Sequence, residues 1–413
     1  MIFLYLLLGY GKSNKSVEKY LLKQHKEYII FDDYKKDIKF DLDRIKTIIK
    51  SNGINNDHNI LKEARARKIE IISDLQFYFD VTKEEKSCLV TGSNGKTTIV
   101  SLLEKTLNNT IAIGNNSLAL FDYLEDENYK ILEVSSFMLE NINYIKYKYN
   151  IVSNIYPTHL EHHSTFVNYI KCKLSFLKYL DNNDYVVYNK DDIILNRIIN
   201  SYDVNKISVS YDDNKSDIYY KENYIYYHNT KVLNTNNLRL MGKHNIYNVM
   251  LVLGVLLNHP LKKTNYKNLI YQYTGEKYRI QIIYDDKFKI INDSKSTNFK
   301  ALNVALNSFK ENIVLIVGGM KRNDDFELLD KELYKIKKVY CMGENKEDFY
   351  NYFTNNSILA YNYNTLEDVI NNLVLEESDI LLFSPGSVSH DQFIDFEHRG
   401  EVFNSLIKNK YFF

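Results

Sequence analysis

The chain lacks tryptophan, has only three cysteines and carries no net charge. Its 53 lysine and arginine residues balance 53 aspartate and glutamate residues, so no overall positive field attracts nucleic acid or an anionic membrane. We therefore expect no nucleic-acid partner. Cys88, Cys172 and Cys341 are scattered and fit neither a disulfide framework nor a zinc motif, which favours a reducing, cytoplasmic compartment.

Long hydrophobic runs are also missing. The longest, residues 249–257, is interrupted by Gly254 and suits a buried helix, because a helix that spans a bilayer needs about 20 apolar residues. The apolar residues 1–8 lack a basic leader and a small-residue cleavage site, so they are predicted to form a buried strand rather than a signal peptide. We expect a cytoplasmic protein that does not insert into membranes.

A glycine-rich loop is the strongest motif that is present. Residues 91–98, TGSNGKTT, lie between a short apolar strand and the start of a helix. Gly92 and Gly95 allow the backbone to wrap around a phosphate. Lys96 can reach the terminal phosphates, and the Thr97 hydroxyl can bind Mg²⁺. The loop is a shortened form of the usual pattern and predicts a nucleotide site; an ordinary strand-to-helix turn is the alternative.

Residues 1–82 alternate between predicted strands and helices. A strand over residues 3–8 leads into a glycine turn, a helix is predicted over residues 17–24, and Asp32 ends the next strand about twenty residues after the turn. This is the outline of a dinucleotide-binding fold, but its third glycine is absent. On its own the pattern leaves both a nucleotide site and a plain turn open.

Polar side chains follow two predicted strands in the central part of the chain. Glu133 lies in the strand over residues 130–136 and could hold Mg²⁺ opposite Thr97, with a solvated strand-end acid as the alternative. The strand over residues 151–155 is followed by four side chains that can bind metal, namely His159, Glu161, His162 and His163. Their place after a strand favours a ligand site over scattered surface histidines.

Two asparagines introduce the apolar helix of residues 249–257. Asn245 and Asn248 are three residues apart, so they lie on one face of a helix near its start. Both amides could bind the edge of a nucleotide base, because an amide donates and accepts hydrogen bonds. Helix capping by Asn245 is the alternative, and it accounts for only one of the pair.

The last segment, residues 277–413, again alternates between strands and helices. Three of its predicted strands lead into polar loops that contain Lys, Arg, Ser or Thr, at residues 292–298, 318–326 and 384–391. Because the carboxyl ends of parallel strands share one edge of a sheet, these loops are predicted to form a single anion-binding rim.

Five stretches of the chain, taken in order, resemble the sequence blocks of the Mur ligase family. They are residues 91–98, 133–140, 154–161, 242–248 and 292–298. Residues 292–298, residues 318–319 with 325–326, and residues 384–393 followed by 396–400 are most similar to the branch that adds D-glutamate. The family comprises ATP-dependent, amide-forming enzymes of peptidoglycan precursor synthesis.

The resemblance implies an α/β fold of three domains. Residues 1–82 would form a Rossmann-like domain that binds a UDP-sugar, residues 83–276 a central mononucleotide-binding domain with the phosphate loop, and residues 277–413 a Rossmann-like domain that binds the amino acid. The last two are expected to close on ATP. A monomer is expected.

The resemblance also implies the reaction. UDP-N-acetylmuramoyl-L-alanine and D-glutamate would be the substrates, with ATP and two Mg²⁺ ions as cofactors. The L-alanyl carboxylate would attack the γ-phosphate of ATP, and the D-glutamate amine would displace phosphate from the resulting acyl phosphate. Transfer of charged phosphoryl groups calls for cations at the site.

Site residues follow from the resemblance, position by position. The catalytic residues would be Lys96, His159 and Lys173, and the metal ligands Thr97, Glu133, His159 and Lys173. Lys173 would be carbamylated by CO₂, with Lys171 as the alternative. ATP would contact Gly92, Ser93, Asn94, Gly95, Lys96, Thr97, Thr98, Asn245, Asn248, Arg279 and Asp293.

The two substrates have their own implied residues. The UDP-sugar would contact Ser13, Asp32, Asn115 and Ser135. D-Glutamate would contact Lys295, Thr297, Arg322, Ser389 and Phe396, and Lys321 is an alternative to Arg322 as the carboxylate clamp.

The chain departs from the family pattern at His162 and His163, and its amino-terminal turn is the least faithful block. Other readings remain open: an enzyme that adds a different amino acid, a folylpolyglutamate-type ligase with the same phosphate loop and acyl-phosphate chemistry, or a non-catalytic nucleotide switch.

Overall fold

The structure is a computed structural model that describes residues 4–33, 40–115, 118–240, 242–321 and 326–411. The chain divides into two compact units, Met1–Tyr273 and Thr274–Phe413. Within these residues the first unit contains two sheets and the second unit one, and helices connect most of their strands. The predicted α/β class is confirmed. The domain boundaries near residues 82 and 276 stay a prediction.

The amino-terminal sheet is fully parallel, with strand order β2-β1-β3-β4. Its strands are β1 Leu4–Leu8, β2 Tyr28–Phe31, β3 Ile45–Lys50 and β4 Glu70–Ser73. The helices are α1 Lys12–Lys23, α2 Asn59–Ala66 and α3 Asp74–Thr82, and a 3₁₀ turn covers Leu42–Arg44. The apolar strand at the start of the chain is confirmed, since Leu6, Leu7 and Leu8 are fully buried.

Helix α1 begins five residues before the helix start that the apolar periodicity predicts. Periodicity detects the buried face, here Val17 and Leu21, and misses a polar first turn. In that turn Asn14 is fully buried, and its amide Nδ2 donates to the carbonyls of Gly9 at 2.8 Å, Leu8 at 3.2 Å and Ile49 at 3.2 Å. Asn14 therefore joins the start of α1 to β1 and β3.

The central sheet has nine strands in the order β13-β12-β11-β10-β9-β8-β5-β7-β6. The strands are β5 Cys88–Thr91, β6 Thr110–Gly114, β7 Tyr129–Glu133, β8 Tyr149–Val152, β9 Tyr185–Asn189, β10 Asn205–Ser210, β11 Ile218–Lys221, β12 Tyr224–Tyr227 and β13 Thr230–Asn234. The pairs that involve β12 are antiparallel and all others are parallel. Strand β5, which leads into the phosphate loop, therefore lies between β7 and β8.

Helices cover this sheet: α4 Lys96–Thr106, α5 Leu160–His163, α6 Phe166–Lys173, α7 Ile193–Ile199, α8 Lys243–Leu256 and α9 Tyr266–Gln272. Three 3₁₀ segments, Leu120–Tyr123, Ser175–Tyr179 and Thr235–Asn237, lie among the connections. Every residue of α8 from Asn248 to Leu256 is buried. The apolar run 249–257 is thus a core helix, as predicted, and it packs against α4 and the sheet.

The second unit contains a six-stranded sheet in the order β14-β15-β19-β16-β17-β18. Its strands are β14 Gln281–Asp285, β15 Lys289–Asn292, β16 Ile313–Gly318, β17 Ile336–Met342, β18 Leu359–Asn362 and β19 Ile380–Phe383. Its helices are α10 Phe299–Asn307, α11 Lys346–Asn355, α12 Leu366–Asn372 and α13 Phe396–Tyr411, with a 3₁₀ segment at Phe326–Lys335. Among the described strand pairs of this sheet, only β14–β15 is antiparallel.

The adjacency of β15, β19 and β16 brings together the three polar loops that follow them. All three strands run parallel, so their loops leave the same edge of the sheet. The predicted convergence of these loops is confirmed for their described residues.

None of the helices in the described part of the chain is long and apolar enough to cross a membrane.

Candidate active site

The phosphate loop, residues 91–98, joins β5 to α4 and has no room for side chains at its glycines. Gly92 and Gly95 have φ angles of +141° and +86°, a region that disfavours residues with a Cβ atom. A Cβ atom at Gly92 would lie 1.9 Å from Ser153 Oγ, and one at Gly95 would lie 2.4 Å from Asn248 Oδ1. Both glycines are therefore required by this loop geometry.

The loop is bound to the end of the neighbouring strand β8. The backbone N–H of Asn94 donates to Asn154 Oδ1 at 2.9 Å, and the Ser153 hydroxyl donates to the Asn94 carbonyl at 2.6 Å. Ser93 Oγ lies 2.7 Å from the hydroxyl of Tyr169 on α6. Thr98 is half-buried in the first turn of α4. These bonds preorganise the loop.

Lys96 lies over the phosphate loop. Its ammonium donates to the carbonyls of Gly92 at 2.8 Å and Ser93 at 3.1 Å. Because Gly95 is the N-cap of α4, the backbone N–H groups of the first turn and the Lys96 ammonium lie at the same end of the helix. This arrangement is suited to phosphate binding.

The structure brings together Thr97 and Glu133, two of the predicted metal ligands. Thr97 Oγ1 donates to Glu133 Oε1 at 3.3 Å, and the Asn115 amide lies 3.4 Å from the same carboxylate oxygen. Glu133 ends β7 and is fully buried, next to β5. A hydroxyl and a carboxylate at a phosphate loop are the oxygen donors that Mg²⁺ prefers, so these residues fit the ion.

Lys173 lies beneath the same loop. Its side chain is almost completely buried, and Nζ donates to the Gly92 carbonyl at 3.0 Å and lies 3.4 Å from Thr91 Oγ1. Burial, followed by the positive charge of Lys96, lowers the pKa of Lys173 well below its usual value. Lys171, the alternative, is exposed on α6. Of the two lysines, only Lys173 points at the loop.

His159 adopts the left-handed conformation, with φ of 54°, directly before the short helix α5. Its ring packs against Phe137 at a centroid distance of 4.9 Å, and Nδ1 lies 3.7 Å from Glu161 Oε1. Burial lowers the pKa of His159; the nearby carboxylate of Glu161 opposes this shift, and the charges of Lys173 and Lys96 add to it. Its imidazole is thus favoured in the neutral form, which is the form that binds metal.

The other two histidines of this segment contact a different carboxylate. His162 Nε2 lies 2.7 Å from Glu140 Oε1, and His163 Nδ1 lies 3.6 Å from the same atom. Glu140 is buried, and its second oxygen pairs with the ammonium of Lys50 at 2.9 Å. The structure therefore groups His162 and His163 with Glu140 and Lys50, two residues that the sequence analysis did not single out.

Asn245 and Asn248 contact each other on α8, as their spacing predicts. The Asn248 amide donates to Asn245 Oδ1 at 3.0 Å, and Asn248 also lies against Gly95 of the phosphate loop. The N-cap of α8 is Gly242, so Asn245 is not the capping residue. The amide pair lies beside the loop, where a nucleotide base could reach it.

The four residues implied for the UDP-sugar have partners of their own. The Ser13 hydroxyl donates to the buried carboxylate of Asp74, and the backbone N–H of Tyr10 in the glycine turn donates to Asp32 Oδ2 at 2.9 Å. The Asn115 backbone N–H donates to the Glu133 carbonyl at 2.8 Å. Ser135 is buried beside Glu133, and its hydroxyl accepts from the Met138 N–H at 3.3 Å. No single contact joins all four.

In the second unit, Asp293 accepts hydrogen bonds from the segment that contains Arg279 and from the loop after β19. Its Oδ2 accepts from the Ser384 hydroxyl at 2.7 Å, and its Oδ1 accepts from the Ile280 N–H at 3.0 Å. Burial raises the pKa of Asp293 to about 7, although these bonds and the charge of Arg279 oppose the shift. Ile280 has φ of 45°, which is strained for a β-branched residue and often marks a functional segment.

Most of the residues implied for D-glutamate lie within the three adjacent loops, and Phe396 begins α13. The Lys295 ammonium lies 5.7 Å from the Phe396 ring centroid, Thr297 is half-buried, and Ser389 is buried in the loop after β19. Lys321 pairs with Asp348 at 2.9 Å. Arg322 lies outside the described residues.

Arg399 is a residue of this region that sequence reasoning missed. It is almost completely buried on α13, and its guanidinium donates to Ser294 Oγ at 3.0 Å, to the Ser294 carbonyl at 2.7 Å and to the Ser387 carbonyl at 2.9 Å. Burial lowers its pKa to about 10. Arg399 thus joins the loop with Lys295 to the loop with Ser389.

Comparison with known proteins gives consistent results. The Mur ligase middle domain family matches residues 90–256. The UDP-N-acetylmuramoylalanine--D-glutamate ligase of Lactobacillus gasseri is 30% identical, and the alignment covers 98% of this chain and 96% of that protein. The enzyme of the same name from Caldicellulosiruptor saccharolyticus is 28% identical, with 97% and 98% covered.

A solved structure shares the fold. The MurF ligase of Thermotoga maritima, in complex with ADP, superimposes with a TM-score of 0.56 at 15% sequence identity. The match covers 98% of this chain and 95% of that one. At this level of identity the similarity concerns the fold alone.

Proposed function

Because the chain belongs to the Mur ligase family, we propose that it is the ATP-dependent enzyme that adds D-glutamate to UDP-N-acetylmuramoyl-L-alanine in peptidoglycan precursor synthesis. It is an acid–D-amino-acid ligase that converts ATP to ADP and phosphate. The relatives named for this reaction align over nearly the whole chain, which disfavours the folylpolyglutamate-type alternative.

The observation that best supports the chemistry is the convergence on the phosphate loop of groups from three elements. Lys96 lies on α4, Glu133 ends β7 and Lys173 lies on α6, and each contacts the loop or its first helical turn. A protein that only binds nucleotide does not require a buried lysine beneath the loop. This favours the ligase over the nucleotide switch.

The reaction proceeds in two steps. The L-alanyl carboxylate of the substrate attacks the γ-phosphorus of ATP, and ADP leaves with the electrons of the broken P–O bond. The amine of D-glutamate then attacks the acyl carbon, loses a proton and expels inorganic phosphate as the amide forms. Lys96, directed at the loop, stabilises the transferring phosphoryl group.

Metal binding is assigned to Thr97, Glu133, His159 and Lys173. Mg²⁺ at such a site neutralises the charge that develops on the phosphoryl oxygens. Thr97 and Glu133 are already in contact, at 3.3 Å, and fit one ion. His159, favoured in its neutral form, would serve a second ion together with Lys173.

Lys173 can bind a metal cation only if the positive charge of its side chain is replaced by a negative one. Its lowered pKa favours the neutral amine, whose lone pair can attack CO₂; the nitrogen loses a proton and a carbamate anion results. The carbamate would lie beneath the phosphate loop, where the present ammonium lies 3.0 Å from the Gly92 carbonyl. We assign this modification to Lys173 rather than to the exposed Lys171.

ATP and D-glutamate have separate sets of residues in this proposal. Asn245 and Asn248 would bind adenine, Arg279 the phosphates and Asp293 the ribose. Lys295, Thr297, Ser389 and Phe396 would surround D-glutamate together with Arg322. Arg322 is preferred to Lys321 as the carboxylate clamp, because the Lys321 ammonium already pairs with Asp348.

The UDP-sugar would occupy the amino-terminal sheet and the adjoining central segment. Asp32 and Ser13 flank the glycine turn, and Asn115 and Ser135 lie beside Glu133. The partners are thus small molecules. We propose that the protein works as a monomer in the cytoplasm.

The test is release of inorganic phosphate from ATP and Mg²⁺ by the purified chain. UDP-N-acetylmuramoyl-L-alanine is supplied with D-glutamate, L-glutamate, L-lysine or diaminopimelate in separate reactions. The proposal predicts release that requires D-glutamate and is lost in Lys96→Ala. Release with another acceptor would change the assigned specificity, and absence of release with every acceptor, despite ATP binding, would favour the nucleotide switch.

A further inference from the structure

Glu140 connects three segments of the first unit through one buried carboxylate. Only 6% of its side chain is exposed, and Lys50, its ion-pair partner at 2.9 Å, is completely buried. The other carboxylate oxygen lies 2.7 Å from His162 Nε2. Lys50 also donates to the Ile54 carbonyl at 2.8 Å, so its ammonium is fixed from two sides.

The three segments belong to different parts of the first unit. Lys50 is the last residue of β3 in the amino-terminal sheet. Glu140 ends the segment that begins at Glu133 and contains Ser135 and Ser136. His162 lies on α5, three residues after His159. A single carboxylate thus joins the sheet proposed to bind the UDP-sugar to the segment that carries a proposed metal ligand.

Helix α5 depends on these contacts for its orientation. It has only four residues, and helices of that length are not stable by themselves. His163 Nε2 adds a bond to Ser136 Oγ at 3.0 Å. The Phe137 ring packs against His159, His162 and His163 at centroid distances of 4.9, 4.7 and 5.7 Å. A shift of His162 would therefore move Phe137 and His159.

The same cluster has some of the features of a metal site. One nitrogen each of His162 and His163 and one oxygen of Glu140 lie within 4.8 Å of one another. The Lys50 ammonium, however, already neutralises Glu140, and a buried cation disfavours a divalent ion next to it. An ion-pair and hydrogen-bond network accounts for all four side chains.

We propose that Lys50 and Glu140 are positioning residues for the reaction. They orient α5, and through it His159, so that the amino-terminal sheet and the metal site adopt their working arrangement together. This inference rests on the proposed function, because it takes His159 as a metal ligand.

The experiment compares variants of this pair with a matched control. Lys50→Met removes the ammonium and retains a side chain of similar length, and Lys50→Arg retains the charge. His162→Leu breaks the contact to Glu140 without leaving a buried charge unpaired, so it tests the proposal even if Lys50→Met does not fold. The control is Lys335→Met: Lys335 and its partner Glu332 form an ion pair of similar burial in the second unit.

Two quantities are measured in each variant. The first is the affinity for Mn²⁺ in the presence of ADP, by electron paramagnetic resonance, with Mn²⁺ as a substitute for Mg²⁺. The second is D-glutamate-dependent phosphate release, from which kcat, KM for D-glutamate and the Mg²⁺ concentration for half-maximal rate are obtained.

We expect Lys50→Met to weaken Mn²⁺ binding and to lower kcat by about tenfold each, with KM for D-glutamate changed less than about twofold. His162→Leu should change the same quantities by about threefold or more, and Lys50→Arg should restore most of both. Lys335→Met should leave Mn²⁺ affinity unchanged. The inference is wrong if both His162→Leu and folded Lys50→Met keep the Mn²⁺ affinity and Mg²⁺ dependence of the wild type. It is also wrong if Lys335→Met weakens Mn²⁺ binding as much as Lys50→Met does.

The outcomes separate this inference from the proposed function. If the wild-type chain releases no phosphate with D-glutamate, the proposed function is wrong, and Mn²⁺ affinity still decides whether Lys50 and Glu140 position the metal site. If phosphate release is normal but insensitive to Lys50→Met, only the positioning role is wrong. If the wild-type chain does not bind Mn²⁺, the positioning role is wrong as well.

Discussion

Asn248 lies directly against Gly95, so that a Cβ atom at Gly95 would stand 2.4 Å from the Asn248 side-chain oxygen. One residue belongs to the phosphate loop and the other to the core helix α8. The contact places the proposed adenine-binding amides and the proposed phosphate-binding loop next to each other, which is the relationship that a mononucleotide site requires. It also makes the loop sensitive to the smallest change at Gly95.

Gly95→Ala is expected to weaken ADP binding by about tenfold or more. The new methyl group must displace the Asn248 side chain, and the alanine must adopt a φ angle of +86°. Isothermal titration with ADP checks this. Gly53→Ala is the matched control, since nothing lies within 4 Å of a Cβ atom at Gly53. Equal ADP affinity in Gly95→Ala and wild-type protein would show that the loop does not bind nucleotide in this geometry.

Lys173→Ala is expected to lower kcat by about 100-fold or more, because a carbamate at this position would be a direct metal ligand. The wild-type enzyme should lose activity in CO₂-depleted buffer and regain it when bicarbonate is added. Lys171→Ala provides the control: its side chain is exposed, and both its activity and its bicarbonate dependence should match those of the wild type. Bicarbonate-independent activity of the wild type would argue against the carbamate.

Asp293 is expected to make the free energy of unfolding depend on pH. Its pKa is raised from 3.8 to about 7 by burial, so between these values the native chain retains a proton that the unfolded chain has lost. Stability should therefore fall as pH rises from about 4 to about 7, by at most about 4 kcal/mol, since each tenfold change in proton affinity is worth about 1.4 kcal/mol.

The measurement is urea-induced unfolding of wild-type protein and Asp293→Asn across this pH range. The variant removes the titrating group, so the difference in unfolding free energy between the two proteins should change with pH and become constant above about 7. ADP affinity of the wild type should rise over the same range, because the ionised carboxylate is the better acceptor for ribose hydroxyls. Parallel pH profiles of stability would contradict the assignment.

Arg399→Lys is expected to raise KM for D-glutamate by about tenfold and to leave ADP affinity unchanged. Lysine can replace only part of the three bonds that join the Ser294 and Ser387 loops, and bonds from charged donors contribute about 1.5–3 kcal/mol each. Steady-state kinetics with D-glutamate as the varied substrate provides the check. An equal loss of affinity for both ligands would indicate general damage to the second unit.

Much of the phosphate-loop site could be predicted from the sequence, because its residues lie at strand ends whose order follows simple rules. Glu133 and Thr97 meet because β7 and β5 are neighbours in a parallel sheet, and Asn245 and Asn248 meet because they are three residues apart on a helix. Such contacts depend on local periodicity and on sheet topology, which the sequence pattern indicates.

The contacts that sequence analysis missed depend on the packing of distant segments. Lys50 ends a strand of the amino-terminal sheet, and Glu140 lies in the connection between β7 and β8 of the central sheet. No sequence motif contains both residues. The sequence pattern groups His159, His162 and His163 as candidate metal ligands, but it does not show that His162 and His163 face Glu140. Lys171 and Lys173 are about 200° apart around a helix, so only the orientation of α6 decides which one faces the loop.

Isotope transfer tests whether the chain activates a substrate carboxylate as an acyl phosphate and transfers the acyl group to D-glutamate. UDP-N-acetylmuramoyl-L-alanine labelled with oxygen-18 in its carboxylate is incubated with ATP, Mg²⁺ and D-glutamate, and the released phosphate is analysed by mass spectrometry. An acyl-phosphate intermediate leaves one labelled oxygen in each phosphate released. Unlabelled phosphate, formed alongside the amide product or without it, would rule out this intermediate.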